Sequence, residues 1–277
     1  MLRNGLAPYI YTQVRASLDD SVALLHPMYY EMPDDDAAYT FSTTQYFFGS
    51  EMIVAPIATP ASTPINGTVS KAVWLPDGEF VDWHAEETYT GPVVVTKTYT
   101  HSDIPVFVRA GSLIPMKTMS GVNETSPDLE WTIFTSKVVN SGVGYSYEDD
   151  GETDAHRSKA EYAILTAQYN AVPCEYDQGG SRWKEIAFTI NTDGGYNSAP
   201  TERGHALVLK GVSNVPQDVV VNGVSYKHDA SVATVTSTSN TGAALELSML
   251  LGGSSLKVDV GQHGFKEPLE IHLLFSC

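Results

Sequence analysis

The sequence predicts a mainly β protein that opens with a short α/β segment. Three observations carry this reading. Apolar residues follow a helical period over residues 2–18 and are followed by a short continuous apolar run. From Glu51 onward, short β-branched or aromatic runs alternate with Gly, Pro, Asn, Asp and Ser. Asn222-Gly223, set between two valine-rich runs, is the signature of a type I′ hairpin. Over the 277 residues, 42% are apolar and only 18% charged, which suits a sizeable core and excludes disorder for most of the chain.

Leu2, Leu6, Tyr9, Ile10, Val14 and Leu18 define one face of the first helix, and Pro8 inside it removes a backbone donor, predicting a kink or restart. Residues 22–25 form an apolar run that leads through His26-Pro27 to Met28, Tyr29 and Tyr30. That suits a strand buried on both faces, as in a parallel sheet, or a buried helical turn. Residues 31–36 read as a loop, and residues 43–49 as one or two helical turns. Strands are then expected at 52–57, 71–75, 79–83, 93–100, 105–109, 130–135, 143–148, 162–169, 184–191, 206–210, 218–221, 224–227, 243–249, 256–260 and 269–275. Strands at this spacing suggest sandwiches. A linker is expected between Met116 and Asp128, where pairing signals are weakest, and a domain boundary is placed there.

Sixteen basic residues against 33 acidic ones give a net charge of −17. That is a poor footprint for nucleic acid, which requires clustered Lys and Arg, and it disfavours anionic membrane surfaces. Neutral ligands such as sugars stay open; equally, the acidity can serve solubility alone. No apolar run approaches the ~20 residues of a spanning helix. Polar residues and Pro8 interrupt any signal-peptide core at the start. Cys174 and Cys277 are too few for a disulfide framework and lack metal-ligand spacing. Asn66 and Asn123 stand in sequons within turn-rich stretches, so they are glycosylation candidates and would permit secretion.

Few constellations suggest chemistry. The densest acidic stretch, residues 147–154, fails as a calcium loop. With Gly151 at the sixth place, Ser146 and Arg157 would occupy positions that require Asp and a bidentate Glu. It reads instead as a strand ending in an Asp-Gly turn. Asp34, Asp35 and Asp36 offer paired carboxylates, although such a run commonly caps a helix or hydrates a surface. Gly142-Val-Gly144 lacks the third glycine and following helix of a dinucleotide site. His26 suits a buried histidine with a satisfied hydrogen bond better than a base or sugar ligand. Trp74, Trp83, Trp131 and Trp183 could stack on sugars, but three of them alternate with apolar neighbours on the expected strands, which favours core packing. No catalytic pair, metal site or cofactor is predicted.

The order of phrases carries more. Arg3-Asn-Gly-Leu-Ala-Pro-Tyr-Ile-Tyr-Thr12, Leu25-His-Pro-Met-Tyr-Tyr-Glu-Met-Pro-Asp34 and Gln45-Tyr-Phe-Phe-Gly-Ser-Glu-Met-Ile-Val-Ala-Pro56 are followed by Trp74-Leu-Pro-Asp-Gly78. Then come Ile104-Pro-Val-Phe-Val-Arg-Ala-Gly-Ser-Leu-Ile-Pro115 and Tyr147-Glu-Asp-Asp-Gly-Glu152. This succession resembles glycoside hydrolase family 31 over residues 1–152, with His26 departing from an Arg common in that family. The resemblance implies two C-terminal β-sandwich-like domains preceded by the last helix–strand–helix remnant of a (β/α)8 barrel. Residues 1–50 would be the remnant, 51–117 the proximal β-domain and 118–277 the distal one. It also implies the C-terminal segment of a retaining α-glycosidase acting on an α-linked glycan through two aspartates. Those aspartates lie on earlier barrel strands, so no catalytic residue transfers to this sequence and the missing barrel portion becomes an expected partner. A non-catalytic carbohydrate-binding module and a structural β-module are the alternative readings.

Overall fold

In a computed structural model the described residues are 2–58, 67–100, 102–118, 128–136, 138–174, 183–212, 215–227, 234–238, 244–252 and 255–276. Asn66 and Asn123 lie outside them. The first apolar period does form a helix in two pieces, α1 (Leu2–Gly5) and α2 (Ala7–Asp20). The break falls at Leu6, just ahead of Pro8, whose missing N–H leaves the Asn4 carbonyl without its helical donor. Leu6 and Tyr9 are buried, whereas Val14 and Leu18 are exposed. The chain separates into two compact units, one of Gln13–Ala110 and one of Met1–Thr12 with Gly111–Cys277.

The Gln13–Ala110 unit is built on one six-stranded sheet. Its strands are β1 (Leu25–His26), β2 (Tyr46–Phe48), β3 (Met52–Val54), β4 (Thr68–Asp82), β5 (Thr88–Thr100) and β6 (Val106–Arg109), in spatial order β1-β2-β3-β6-β4-β5. Of the apolar run at 22–25 only Leu25 enters a strand, the two-residue β1; rather than buried on both faces in a parallel sheet, it is exposed at a sheet edge and pairs antiparallel with β2. Residues 43–49, expected as helical turns, instead hold β2, whose Tyr-Phe-Phe run favours a pleated surface. The helix lies earlier, as α3 (Asp36–Phe41), with the Asp35 carboxylate accepting from Ala37 N at 2.8 Å as its N-cap. The two strands expected at 71–75 and 79–83 are one long strand, β4, with a register irregularity between Leu75 and Gly78. Met28, Phe47, Ile53, Trp74, Leu75, Phe80 and Phe107 belong to one buried cluster.

The other unit is a sandwich. One sheet runs β14-β13-β18-β11-β10-β9 and the other β15-β16-β17-β12-β8-β7. In chain order these are β7 (Leu113–Lys117), β8 (Leu129–Phe134), β9 (Ser141–Glu148), β10 (Ala163–Pro173), β11 (Trp183–Gly194) and β12 (Glu202–Lys210). They continue as β13 (Asp218–Val221), β14 (Val224–Lys227), β15 (Thr234–Thr238), β16 (Ala244–Gly252), β17 (Ser255–Gly264) and β18 (Leu269–Leu274). All described pairings are antiparallel except β8 with β12. Inward residues of both sheets form a single core, including Trp131, Leu207 and Val258 from one and Leu165, Phe188 and Ile271 from the other. The Asn-Gly hairpin forms as expected, with Asn222 and Gly223 at φ 47° and 79° between β13 and β14. Met116 and Lys117, read from sequence as the start of a linker, belong to β7 and pair with β8. Trp74, Trp83, Trp131 and Trp183 are all buried.

Candidate functional site

Two clusters of polar side chains stand out, one in each unit. In the Gln13–Ala110 unit, the chain leaves β1 at His26 and turns through Pro27 into a short 3-10 helix (Met28–Tyr30). That turn buries the imidazole, which is 3% exposed, between Tyr30 and Phe47 at ring separations of 6.0 and 5.5 Å. His26 Nδ1 lies 2.8 Å from the Ala23 carbonyl, which can only accept, so Nδ1 donates that bond. Nε2 is 3.2 Å from Glu31 Oε1, and the other Glu31 oxygen is 3.8 Å from Arg109 Nη2. Arg109 donates from Nε to the Ser50 carbonyl at 3.0 Å and stands over the Phe47 and Phe80 rings. A cavity of about 240 Å³ opens beside this chain of contacts, with Gln13, Asp20, His26, Glu31 and Ser50 in its wall. The expectation of a buried, hydrogen-bonded His26 therefore holds. Its connection to Arg109, 83 positions away, left no mark in the sequence beyond the charge itself.

In the sandwich unit, β9 ends in the acidic stretch at 147–154. Asp150 folds back as an Asx turn, accepting from Glu152 N at 3.1 Å and Thr153 N at 3.0 Å. Its hydrogen bonds from Thr153 hold the carboxyl below the usual carboxylate range. The turn expected here is present, and among the described residues no group of three or more His, Cys, Asp or Glu is placed to hold a metal ion. Asp149 behaves differently from its neighbours: its side chain is only 5% exposed. It accepts from the Tyr11 hydroxyl, from the Tyr147 hydroxyl at 2.9 Å and from Gly151 N at 2.9 Å. The first turns of α2 hold the other side, where Thr12 Oγ1 donates to the Pro8 carbonyl at 2.8 Å and accepts from Tyr147 N at 2.9 Å. Burial, then the Asp149 bond, raises the Tyr11 phenol far above its ordinary value, so it stays a neutral donor. The next residue along, Glu148, is paired with the buried Arg203, whose guanidinium lies 5.0 Å from the Phe265 ring. Of Asp34, Asp35 and Asp36, weighed as paired carboxylates, Asp35 is the N-cap of α3 and Asp36 stands in its first turn.

Neither cluster presents two unpaired carboxylates facing a common space.

Comparison with known proteins gives a consistent neighbourhood. The profile of the glycosyl hydrolase family 31 C-terminal domain matches residues 21–114. The isomaltosyltransferase of Sporosarcina globispora is 27% identical over 248 residues, covering 80% of this chain and 22% of the relative. The α-xylosidase of Saccharolobus solfataricus is 27% identical over 180 residues, covering 64% and 22% respectively. The chain thus spans about a fifth of the length of these curated relatives. The GH31 dextranase of Flavobacterium johnsoniae, solved in complex with glucose, shares the fold with a TM-score of 0.77 and 23% identity. That match covers 99% of this chain and 32% of the dextranase. No helix among the described residues is long and apolar enough to cross a membrane.

Proposed function

Since the chain belongs to glycoside hydrolase family 31, as part of its C-terminal region, we propose that it is the C-terminal segment of a retaining α-glycosidase of the α-glucosidase type. The observation that carries this reading is the state of β1. It pairs on one side only, with β2, among the described residues. Around it Val14, Leu18, Val22 and Leu25 are 48%, 53%, 43% and 55% exposed, an apolar surface that a preceding barrel strand and its helices would cover. His26 sits at the C-terminal end of that strand, the end at which (β/α)8 barrels place their sites. In this reading the His26–Glu31–Arg109 contacts brace the rim of a barrel, while aspartates on earlier strands attack and protonate the glycosidic bond of an α-linked glycan. None of those aspartates maps onto these 277 residues, and the barrel portion and the glycan are the partners of the complete enzyme. Residues 1–50, 51–117 and 118–277 are the proposed division among barrel remnant, proximal and distal β-domains. Cys174 is disulfide-bonded, which supports passage through an oxidising compartment.

Amide exchange tests the barrel-remnant assignment. In the chain alone the amides of Ala23 to His26 are expected to exchange far faster than those of β11, which is paired on both sides. Exchange as slow as in β11 would mean that β1 belongs to a complete domain and would overturn the reading.

A further inference from the structure

Within the sandwich unit, a cavity of about 440 Å³ is walled by Tyr11 of α2, Lys117 of β7, Glu148 and Asp149 at the end of β9, Tyr196, and Arg203 of β12. We propose that this cavity binds a neutral saccharide of one or two rings. The charges in its wall cancel, two carboxylates against two cations. Glu148 and Arg203 are paired with each other, and Asp149 is already served by two tyrosine hydroxyls. A phosphate or a free carboxylate would thus find no surplus positive charge. What the wall offers is a mixed set of donors and acceptors, which matches hydroxyl groups that both donate and accept. Tyr11, 41% exposed, and the half-buried Tyr196 add aromatic surface suited to the C–H face of a pyranose ring. Ser146 also contributes to the wall, and its wholly buried hydroxyl has no hydrogen-bond partner. The volume falls in the range of small-molecule sites, roughly 300–1,000 Å³.

Occupation of this site requires no hydrolysis, so its test is separate from that of the glycosidase assignment. Saturation-transfer NMR on the whole chain, with glucose, maltose, isomaltose and glycine betaine as probes, tests it directly. Transfer to at least one of the sugars is expected, with affinity falling at least about tenfold in Tyr196→Ala while the melting temperature holds. Should Tyr196→Ala fail to fold, Lys117→Gln, at the half-buried last position of β7, takes its place, with the same loss expected. Absence of transfer to any sugar, unchanged affinity in the folded variant, or displacement of the sugar by betaine would overturn the proposal. None of these results would touch the family assignment, which rests on the other unit and on sequence.

Discussion

The side-chain amide of Gln45 takes up both backbone groups of Trp74. Its Nε2 donates to the Trp74 carbonyl at 2.7 Å, and its Oε1 accepts from Trp74 N at 2.8 Å. Gln45 is 1% exposed, so neither Trp74 group could turn to water if the amide were lost. Gln45→Leu keeps the volume and removes both partners, and is expected to destabilise the fold by about 2–4 kcal/mol in urea unfolding. A loss below ~0.5 kcal/mol would contradict this accounting. His205 makes the complementary case of a buried group without its charge. Burial first, then the nearby Arg203 and His263, lowers its pKa from 6.5 to about 3. The unfolded chain therefore binds a proton below its ordinary value while the folded chain refuses it. The His205 contribution is full above about pH 6.5 and lost progressively as pH falls towards 3. His205→Asn is expected to flatten the stability–pH curve between those limits. An unchanged slope would show that other groups set it.

Where β9 approaches β7, glycine is required by distance rather than by turn chemistry. A Cβ on Gly144 would stand 2.2 Å from the Leu113 carbonyl oxygen, and one on Gly142 2.0 Å from that of Gly111. Gly142-Val-Gly144, rejected as a nucleotide site, is thus the place where edge strands of the two sandwich sheets approach at backbone contact. Gly144→Ala must push the strands apart and is expected to cost about 1–3 kcal/mol of stability. A thermal midpoint equal to wild type would show that the edges yield freely. Legibility from the sequence follows the same line. The sandwich strands were readable because alternation and Asn222-Gly223 are local signals. The helix at 36–41 was missed because its evidence was the Asp35 cap, which the aspartate triplet disguised as loop. The 43–49 stretch was misread because Tyr46, Phe47 and Phe48 are committed to the sheet by tertiary partners, not by period. The Asp149 and His26 clusters were illegible for a further reason: each joins residues more than 80 positions apart, Tyr11 with Asp149 and His26 with Arg109 by way of Glu31.

At the scale of the whole chain, each of the two units holds a core of its own. The sandwich closes on its own apolar cluster and the Gln13–Ala110 unit on another, with β1 at the edge of its sheet, paired among the described residues with β2 alone. Retaining hydrolysis divides one difficult substitution into two steps, and each step depends on paired carboxyl groups flanking the bond. His26, Glu31 and Arg109 contribute one carboxylate, engaged on both oxygens; Tyr11, Asp149 and Tyr147 contribute another, engaged by hydroxyls. The measurement that bears most directly on this is nitrophenol release from a nitrophenyl α-glucoside by the purified 277-residue chain. The expected result is release no greater than the blank at any pH, with sugar binding still permitted in the sandwich cavity. Turnover that follows the chain through successive purification steps would contradict it, and would require a catalytic carboxylate pair within these residues.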